Sequence, residues 1–597
     1  MKLFIVAGFI MVTTCCPAQE APDAFRDDQR LRTPISMREK IVSMATFVAD
    51  LSRLSNVKFQ VAAEIRDRKV TTIFHDRSTA ELMEAVQSAL FLQWIKVGDG
   101  YRLTMPASSR RDEKQLLDAE ESTAAASIRD RLAEYLKIAE IPPNRIPAEI
   151  QATRNQIDEL NLNPSSGSRS KVEDAKQRFG ALSNPAGIPI AQAYAADLSS
   201  LVDALMAGRT AFASTRPADN VPQMPGDAAR FLPLDAQKAI DIMSMLRYDP
   251  AAGRFVGRSS CFLGLNMGSI STRAFTCELE ESRELDKSKL LAVLRGWSSS
   301  LDESLMNQKI AQNGPQEEPP GYLNGGFTLA DHLEFLADRS GVPVVADAYR
   351  VSLSPGAYRG ELTVGEYMKG LQHSYLLPGS RGSTVFGCYG TSKGWLLARH
   401  SGYWRREKVE IPESVLLPLE QVVKSSPYPL ADNYAAFIRK LTPDQETAFS
   451  MNLLGRAFRF PQIPLVAALY SLKLWAALAP EQRAVASTEP GLELAQLTSD
   501  QMQIVAQGWA NGIWNGHLPG ELWEAVFTPS KISALGATLR FAQTTDTMVL
   551  SDGELAVVRQ KTPSPPGTGR GVHVQFDFMV GLQPFYTEGF GILGRGK

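Results

Sequence analysis

The feature that most constrains the fold of this chain is an internal repeat at a constant offset of 285 residues. In each copy an apolar stripe at helical spacing leads into a short alternating segment and then into a second stripe. The matching pairs are Met44 and Leu329, Val48 and Leu333, Leu51 and Leu336, Ser55 and Ser340, Val57 and Val342, Phe59 and Val344, Ser78 and Thr363, Glu81 and Glu366, Leu82 and Tyr367, Met83 and Met368, Val86 and Leu371, and Leu90 and Tyr375. The pattern predicts two copies of one small α/β module, over residues 33–105 and 326–400.

Each copy is expected to run helix, strand, capped helix, strand. Apolar residues between Ile41 and Leu51 recur at helical spacing, and Val57, Phe59 and Val61 then alternate as in a half-buried strand. The second helix of each copy opens with a capping box, in which a hydroxyl and a carboxylate satisfy free backbone N–H groups. These boxes are Ser78 with Glu81 and Thr363 with Glu366. The closing strands, at 100–103 and 394–397, are 294 residues apart, because nine extra residues fall in a Gly-rich stretch.

This order of elements resembles the short N-terminal domain shared by secretins and TonB-dependent receptors. The resemblance is closer for residues 33–105 than for 326–400 and covers about a quarter of the chain. It implies βαβ-like modules that face the periplasm and contact other envelope proteins, or that associate with copies of themselves. It implies no catalysis.

Length and composition fit several globular domains. The chain has 597 residues, of which 44% are hydrophobic and 21% charged. With 63 basic and 65 acidic residues it has no electrostatic footprint for a nucleic-acid partner. We therefore expect no nucleic acid among its ligands.

The N-terminus predicts export. Lys2 precedes an apolar run over residues 3–12, and a small-residue cleavage site follows, which gives a signal peptide over 1–18. The tandem Cys15 and Cys16 fit a second interpretation, a lipoprotein whose processed N-terminal cysteine carries the only membrane anchor. Thr13 and Thr14 differ from the small residues expected before such a cysteine. The expected location is periplasmic or extracellular, or the outer membrane if the chain is lipidated.

Three cysteines follow the signal peptide, too few for a disulfide scaffold. The segment between Cys261 and Cys277 is predicted to form a hairpin. In an oxidising compartment these two cysteines are candidates for a disulfide, which leaves Cys388 as a lone thiol.

The fold class predicted for the whole chain is α+β and multidomain. Two modules are combined with irregular helical domains and a short C-terminal antiparallel β segment. The expected divisions outside the modules are a helical and loop-rich segment at 107–229, an α/β middle region at 230–311, a linker at 312–322, a helical domain at 411–540 and a β segment at 541–597. In the helical domain, Leu-Thr-Pro-Asp-Gln and two similar runs, at 441–445, 478–482 and 497–501, are expected to begin helices.

Three catalytic motifs occur in the sequence without their usual context. Residues 390–394 read as a nucleophile elbow around Ser392, but a strand follows, so a hairpin turn is the better interpretation. Residues 589–594 spell a dinucleotide fingerprint with no room for the helix that should follow. Residues 168–171 fit S-x-x-K, without a Lys-Thr-Gly element elsewhere, and are expected to form a flexible loop.

Metal and ligand chemistry have weak sequence support. The six histidines include no pair at i, i+4, and the cysteines show no C-x-x-C. His332, at the position of Phe47 in the first copy, is interpreted as a core histidine; Asp331, Glu334 and His373 are the neighbours that a metal site would need. The cluster of Trp509, Trp514 and Trp523 fits core packing better than a carbohydrate or peptide groove. No catalytic, cofactor-binding or metal-binding residue is assigned.

Two classes of function follow. The favoured one is a non-enzymatic envelope protein that mediates protein–protein interaction or assembly through its modules. The alternative is an extracellular or periplasmic hydrolase in which Asp286, Asp302 and Glu303 supply carboxylates.

Overall fold

The structure is a computed structural model. It describes residues 25–162, 168–183, 185–217, 221–231, 241–249, 254–262, 269–278, 302–310, 327–347, 349, 352–353, 362–374, 388–400, 403–425, 431–450, 468–514, 525–526, 528–551, 554–557 and 568–593. The predicted signal peptide, the linker at 312–322 and Asp286 lie outside these residues. The α+β multidomain fold is confirmed.

The first module contains two helices and five strands. Its elements are β1 (Pro34–Ser43), α1 (Met44–Ser55), β2 (Phe59–Val61), β3 (Lys69–Ser78), α2 (Thr79–Leu90), β4 (Gln93–Val97) and β5 (Gly100–Thr104). β1 pairs antiparallel with β3, and a second sheet has the order β2-β5-β4. Both helices begin at a side-chain cap: Ser43 Oγ accepts from Thr46 N–H, and Ser78 forms the predicted capping box with Glu81.

Five helices follow the first module and lead into the middle region. The long α3 (Ala107–Ala139) follows the module, and α4 (Ile146–Leu162), α5 (Ser168–Ser183), α6 (Ile188–Ala193) and α7 (Leu198–Met206) come next. These helices share one core with a four-stranded meander of β6 (Ala211–Ser214), β7 (Asp241–Asp249), β8 (Arg254–Phe262) and β9 (Ser269–Glu278). Because β6 pairs with β7, one sheet crosses the division placed at 229/230.

The second module repeats the first. Short elements α8 (Glu303–Met306) and β10 (Lys309–Ile310) precede it. It comprises β11 (Phe327–Thr328), α9 (Leu329–Ser340), β12 (Val344–Ala346), β13 (Ser352–Leu353), β14 (Leu362–Thr363), α10 (Val364–Ser374), β15 (Cys388–Ser392) and β16 (Trp395–Arg399). The order β12-β16-β15 matches β2-β5-β4, with one parallel and one antiparallel pair in each. The strand order of the two copies therefore agrees, as the repeat predicted.

The hairpin register corrects the alignment of the closing strands by one residue. Val97 faces Gly100 in the first module and Ser392 faces Trp395 in the second, so the offset is 295 and not 294. Lys393 and Gly394 both have positive φ, at 50° and 79°, as a two-residue type I′ turn requires. The glycine that suggested the alignment is therefore a turn residue.

The two modules share a five-stranded sheet with the order β1-β3-β12-β16-β15. Its residues alternate between two cores, as the strand period of two demands. One face sends Val345 and Leu397 into the core of the first module, while the other sends Ile73 and Val344 into the core of the second. Helix α2 of the first module packs on β12 and β16.

The C-terminal region joins helices and strands around a fourth core. Its helices are α11 (Tyr403–Val409), α12 (Glu413–Ser425), α13 (Ala431–Ile438), α14 (Pro443–Ser450), α15 (Leu469–Ala477), α16 (Pro480–Ala486) and α17 (Ser499–Trp514). Its sheet contains β17 (Leu492–Glu493), β18 (Ala537–Ser551), β19 (Glu554–Val557), β20 (Thr568–Val580) and β21 (Gln583–Leu593). The three predicted helix starts are confirmed at α14, α16 and α17. Helices and strands contribute to one core, so the structure joins the segments divided at 540/541.

The structure also excludes the candidate disulfide and corrects the expected loop at 168–171. The hairpin β8–β9 exists, but its register places Cys261 opposite Ile270 and Cys277 opposite Phe255. A separation of six strand residues is about 20 Å, far beyond the reach of a disulfide. Residues 168–171 form the first turn of α5 and not a loop.

Among the described helices, none is both long and apolar enough to cross a membrane.

Candidate functional site

The contact between the two modules is a strand addition. β3 of the first module pairs antiparallel with β12 of the second, with Ile73 opposite Val344 and Thr71 opposite Ala346. β3 thereby fills the space between β12 and helix α9, which we call the closed groove. Ile41 and Ile73 enter the core of the second module there, although both belong to the first.

Ion pairs secure β1 over the helix side of the closed groove. Arg38 Nε lies 2.5 Å from Glu334 Oε1, and its Nη2 lies 2.8 Å from Asp338 Oδ2. Lys40 Nζ lies 2.9 Å from Asp331 Oδ1 and 2.5 Å from Glu334 Oε2. Helix α9 therefore recognises a basic incoming hairpin by three acids on one face.

The first module has the same groove between α1 and β2, and it is open. In the part of the chain that is described, β2 pairs only with β5. The open groove has a volume of about 620 Å³. Its lining residues are Ala45, Val48, Ala49, Phe59, Gln60, Val61, Ala62, Ala63, Glu64, Arg66 and Arg102.

The backbone of the two grooves is equivalent bond by bond. Tyr101 N–H donates to Lys58 O at 2.9 Å, as Leu396 N–H donates to Pro343 O at 2.8 Å. At the other end, Ala62 N–H donates to Leu103 O, as Asp347 N–H donates to Ala398 O. Because bonding alternates along a strand, the outward groups of Phe59 and Val61 occupy the positions of Val344 and Ala346, which pair with β3.

Ser52 stands at the open edge. Its hydroxyl donates to Val48 O at 2.8 Å and accepts from Phe59 N–H at 3.0 Å. The equivalent residue in the second module is Ala337, which has no such group. Ser52 thus occupies one of the hydrogen-bonding positions that a neighbouring strand takes in the closed groove.

A network of buried charges lies beside the grooves. Arg68 Nη2 lies 2.6 Å from Glu113 Oε2 and 3.0 Å from Glu407 Oε2, so one cation joins the first module, α3 and α11. In the second module, Arg399 Nε lies 3.4 Å from Asp347 Oδ2. Glu113 and Glu407 both approach Nη2 of Arg68, so this guanidinium holds the first module against α3 and α11.

Burial shifts the pKa of several groups in this network. It raises the pKa of Glu407 to about 7, although Arg68 acts in the opposite direction. It also raises the pKa of Asp347 well above the ordinary value, against the effect of Arg399. A cavity of about 220 Å³ adjoins the network, and Tyr349 lines it. The Tyr349 hydroxyl is buried and has no hydrogen-bond partner among the described residues.

His332 and its acidic neighbours serve packing and docking. His332 is 1% exposed, and its Nδ1 lies 2.7 Å from Tyr367 Oη. Burial lowers the pKa of His332 to about 4, so the ring is neutral in the core. Asp331 and Glu334 bind Lys40 instead of approaching a metal position with His332. The core interpretation of His332 is confirmed; the side chain of His373 lies outside the described residues.

The residues of the candidate catalytic motifs lie in ordinary strands, turns and helix ends. Ser392 ends β15 at the type I′ turn, so the strand-to-helix turn of a nucleophile elbow does not form there. Asp302 caps α8 by accepting from Ser304 and Leu305 N–H, and Glu303 is exposed at the same helix end. Residues 589–593 are part of β21. Trp509 is fully buried against Phe578 and Phe585, as the core interpretation predicted; the Trp514 side chain and Trp523 lie outside the described residues.

A further buried carboxylate, that of Glu588, was not predicted from the sequence. Glu588 Oε2 accepts from Ser471 N–H at 3.2 Å and from the Ser471 hydroxyl, and its Oε1 accepts from the Tyr586 hydroxyl. Burial raises the pKa of Glu588 to about 7. The adjoining cavity is about 10 Å³, room for one water and not for a substrate. The only sequence signal was a glutamate inside an apolar strand.

Within the described ranges, no three His, Cys, Asp or Glu side chains are placed to hold a metal ion. No protein-family model matches this chain, and no curated protein or solved structure matches it either. The candidate site is therefore defined by geometry alone: two equivalent strand-accepting grooves, one closed and one open.

Proposed function

We propose that this protein is an exported cell-envelope protein that mediates protein–protein interaction or assembly through its two modules. The observation that carries the proposal is the strand addition of β3 to β12, because it shows how a groove of this module recognises protein backbone. The open groove offers the same recognition to another molecule. The partners are other envelope proteins, with membrane contact only through a lipid anchor at Cys15 or Cys16.

The order of elements supports the resemblance to the short N-terminal domain of secretins and TonB-dependent receptors. Each module contains a strand, a helix, further strands, a capped helix and a closing hairpin. The sheet order β2-β5-β4 recurs as β12-β16-β15. A module that occurs twice and already binds its own copy is suited to assembly.

Site-specific photo-crosslinking in intact cells tests the proposal. A photoreactive amino acid in place of Val61 should give adducts with envelope proteins. The control position is Leu582, which is 90% exposed in a turn of the C-terminal sheet. Adducts from Leu582 but from no position in either module would contradict an interaction role of the modules.

Export has its own measurement. Fusion of the full chain to alkaline phosphatase, which is active only outside the cytoplasm, should give activity that is lost when residues 3–12 are deleted. Labelling with a radioactive fatty acid, with Cys15→Ser and Cys16→Ser as controls, distinguishes a lipoprotein from a cleaved soluble chain.

A hydrolase that uses a serine nucleophile is tested at Ser392. A fluorophosphonate probe should give the same result with the wild type and with Ser392→Ala. Labelling that disappears in this variant would overturn the non-enzymatic proposal.

A further inference from the structure

We infer that the open groove of the first module binds an extended strand of a partner protein, antiparallel to β2, and that the partner presents an acidic side chain to Arg53. The inference rests on the proposed interaction function and assigns it a site and a partner chemistry. It follows from differences between the two grooves at equivalent positions.

The backbone requirement comes from the closed groove. There, Val344 and Ala346 exchange hydrogen bonds with β3, so the groove accepts an antiparallel strand. Val61, at the position of Ala346, directs its N–H and C=O away from β5 in the open groove. The helix wall is formed by the small side chains Ala45 and Ala49, which leave room for a strand.

The charge requirement comes from the helix. The three acids of α9 that bind Arg38 and Lys40 are Asp331, Glu334 and Asp338. Their equivalents on α1 are Thr46, Ala49 and Arg53. The Arg53 side chain is 69% exposed, and its one ion pair among the described residues is with Asp50 of the same helix, at 3.0 Å. A basic strand suits the closed groove, whereas the open groove has the opposite sign at the position of Asp338.

The same comparison excludes the hairpin of a second copy as occupant. In that hairpin, Arg38 would meet Arg53 where it meets Asp338 in the closed groove. Lys40 would meet Thr46 and Ala49 where it meets Asp331 and Glu334. In addition, β3 is already paired on both sides, with β1 and β12. The occupant that we propose is accordingly a strand of a different protein.

A strand that binds to β2 must displace the Ser52 hydroxyl. An incoming strand must replace its hydroxyl as the partner of Phe59 N–H. After replacement, the Ser52 hydroxyl keeps its bond to Val48 O, so the exchange leaves no buried group unpaired. Ser52→Ala, which copies Ala337, should therefore tighten binding of any strand that pairs with β2.

Two synthetic β-hairpins provide the probe. The first copies residues 34–43 and 69–78, joined by an Asn-Gly turn. The second has the same sequence with Arg38→Glu and Lys40→Glu. Binding to the full chain is measured by calorimetry, and hydrogen exchange of the Val61 amide reports the site.

The acidic hairpin should bind the wild type several-fold more tightly than the basic one and slow exchange at Val61. Arg53→Asp should reverse the preference, and Ser52→Ala should strengthen binding of the acidic hairpin. Val61→Pro removes the outward N–H and should abolish binding. If Val61→Pro fails to fold, Ala49→Trp blocks the groove from the exposed face of α1.

Equal binding of both hairpins, or binding without protection of Val61, would overturn the inference. Protection of Val61 that rises with protein concentration in the absence of a hairpin would also overturn it, because the occupant would then be a second copy. Cross-linked envelope partners obtained from other module positions, together with no hairpin binding, would leave the proposed function standing and remove only this site.

Discussion

The two modules share a fold and differ in what covers them. In the second module, Val345 and Leu397 point from the sheet into a core supplied by the first module. Their equivalents in the first module are Gln60 and Arg102, which bond to each other at 3.1 Å on a surface that no described element covers. These two strand positions are therefore apolar in the module whose outer sheet face is buried and polar in the module whose outer face is not.

This difference distinguishes the features that both copies share from the features that depend on where the copies differ. Capped helices and strand order are common to both copies, since they are fixed by local hydrogen bonds and by apolar spacing. Docking depends on positions at which the copies differ: Gln60 and Arg102 against Val345 and Leu397 on the sheet, and Thr46, Ala49 and Arg53 against three acids on the helix. With these differences, one groove is filled within the chain and the other is not.

The largest expected effect is at the charge network that holds the first module against α3 and α11. Arg68→Ala removes the cation that lies within 3.0 Å of both Glu113 and Glu407 and leaves only Arg399, 3.8 Å from Glu113. The free energy of unfolding should therefore fall by about 3–5 kcal/mol. Urea denaturation measures the loss. The control is Arg38→Ala at the module interface, where the side chain is 50% exposed and the loss should be below about 1 kcal/mol. Equal losses would show that the network is not a structural anchor.

The next effect compares the closed and open grooves directly. Ile73 is 1% exposed and fills the core of the other module, so Ile73→Ala should cost about 2–5 kcal/mol. Val61→Ala, at the open edge, should change stability by less than about 1 kcal/mol. Denaturant midpoints with unchanged slopes are the measurement. A large loss at Val61 would mean that the open groove is filled in the free protein.

A third prediction uses a core position at which the second module has a titratable side chain and the first module an apolar one. His332 stands where the first module has Phe47, and burial lowers its pKa from 6.5 to about 4. The folded state therefore binds fewer protons than the unfolded state, and stability is lost as the pH falls from 6.5 toward 4. His332→Phe should reduce this loss, as followed by melting temperature against pH. Replacement of the exposed His75 by Phe is the control; if it has the same effect, the titration is not that of His332.

Much of the module could be predicted because its signals are local. Helical stripes, alternation and the boxes at Ser78 and Thr363 each lie within a dozen residues, and the structure shows the elements they predict. The error at Cys261 and Cys277 has a different origin. The sequence indicated a hairpin, but the register that separates the two cysteines is set by pairing between whole strands.

The candidate site was not predictable from the same signals. β3 meets β12 across more than 270 residues of chain, and nothing in either strand alone names its neighbour. The usable signal was the contrast between equivalent positions: Thr46, Ala49 and Arg53 against the acids of α9, and Gln60 against Val345. An internal repeat supplies that contrast only after both copies have been placed in register.

The smallest expected effects test whether the two copies begin their helices in the same way. Ser78 and Thr363 accept hydrogen bonds from the N–H groups of Glu81 and Glu366 at 3.2 Å each. Truncation to alanine leaves that N–H without its side-chain acceptor, so Ser78→Ala and Thr363→Ala should each lower stability by about 1 kcal/mol. Because Ser78 is partly buried and Thr363 exposed in their bonds, water replaces the lost acceptor more readily at Thr363, and the loss at Ser78 should be the larger of the two. Chemical denaturation of the two variants and of the double variant measures both terms, and the double variant should show their sum, since the caps lie in different modules. Two unchanged melting curves would show that these caps contribute nothing to either helix, and the equivalence of the modules would then rest on strand order alone.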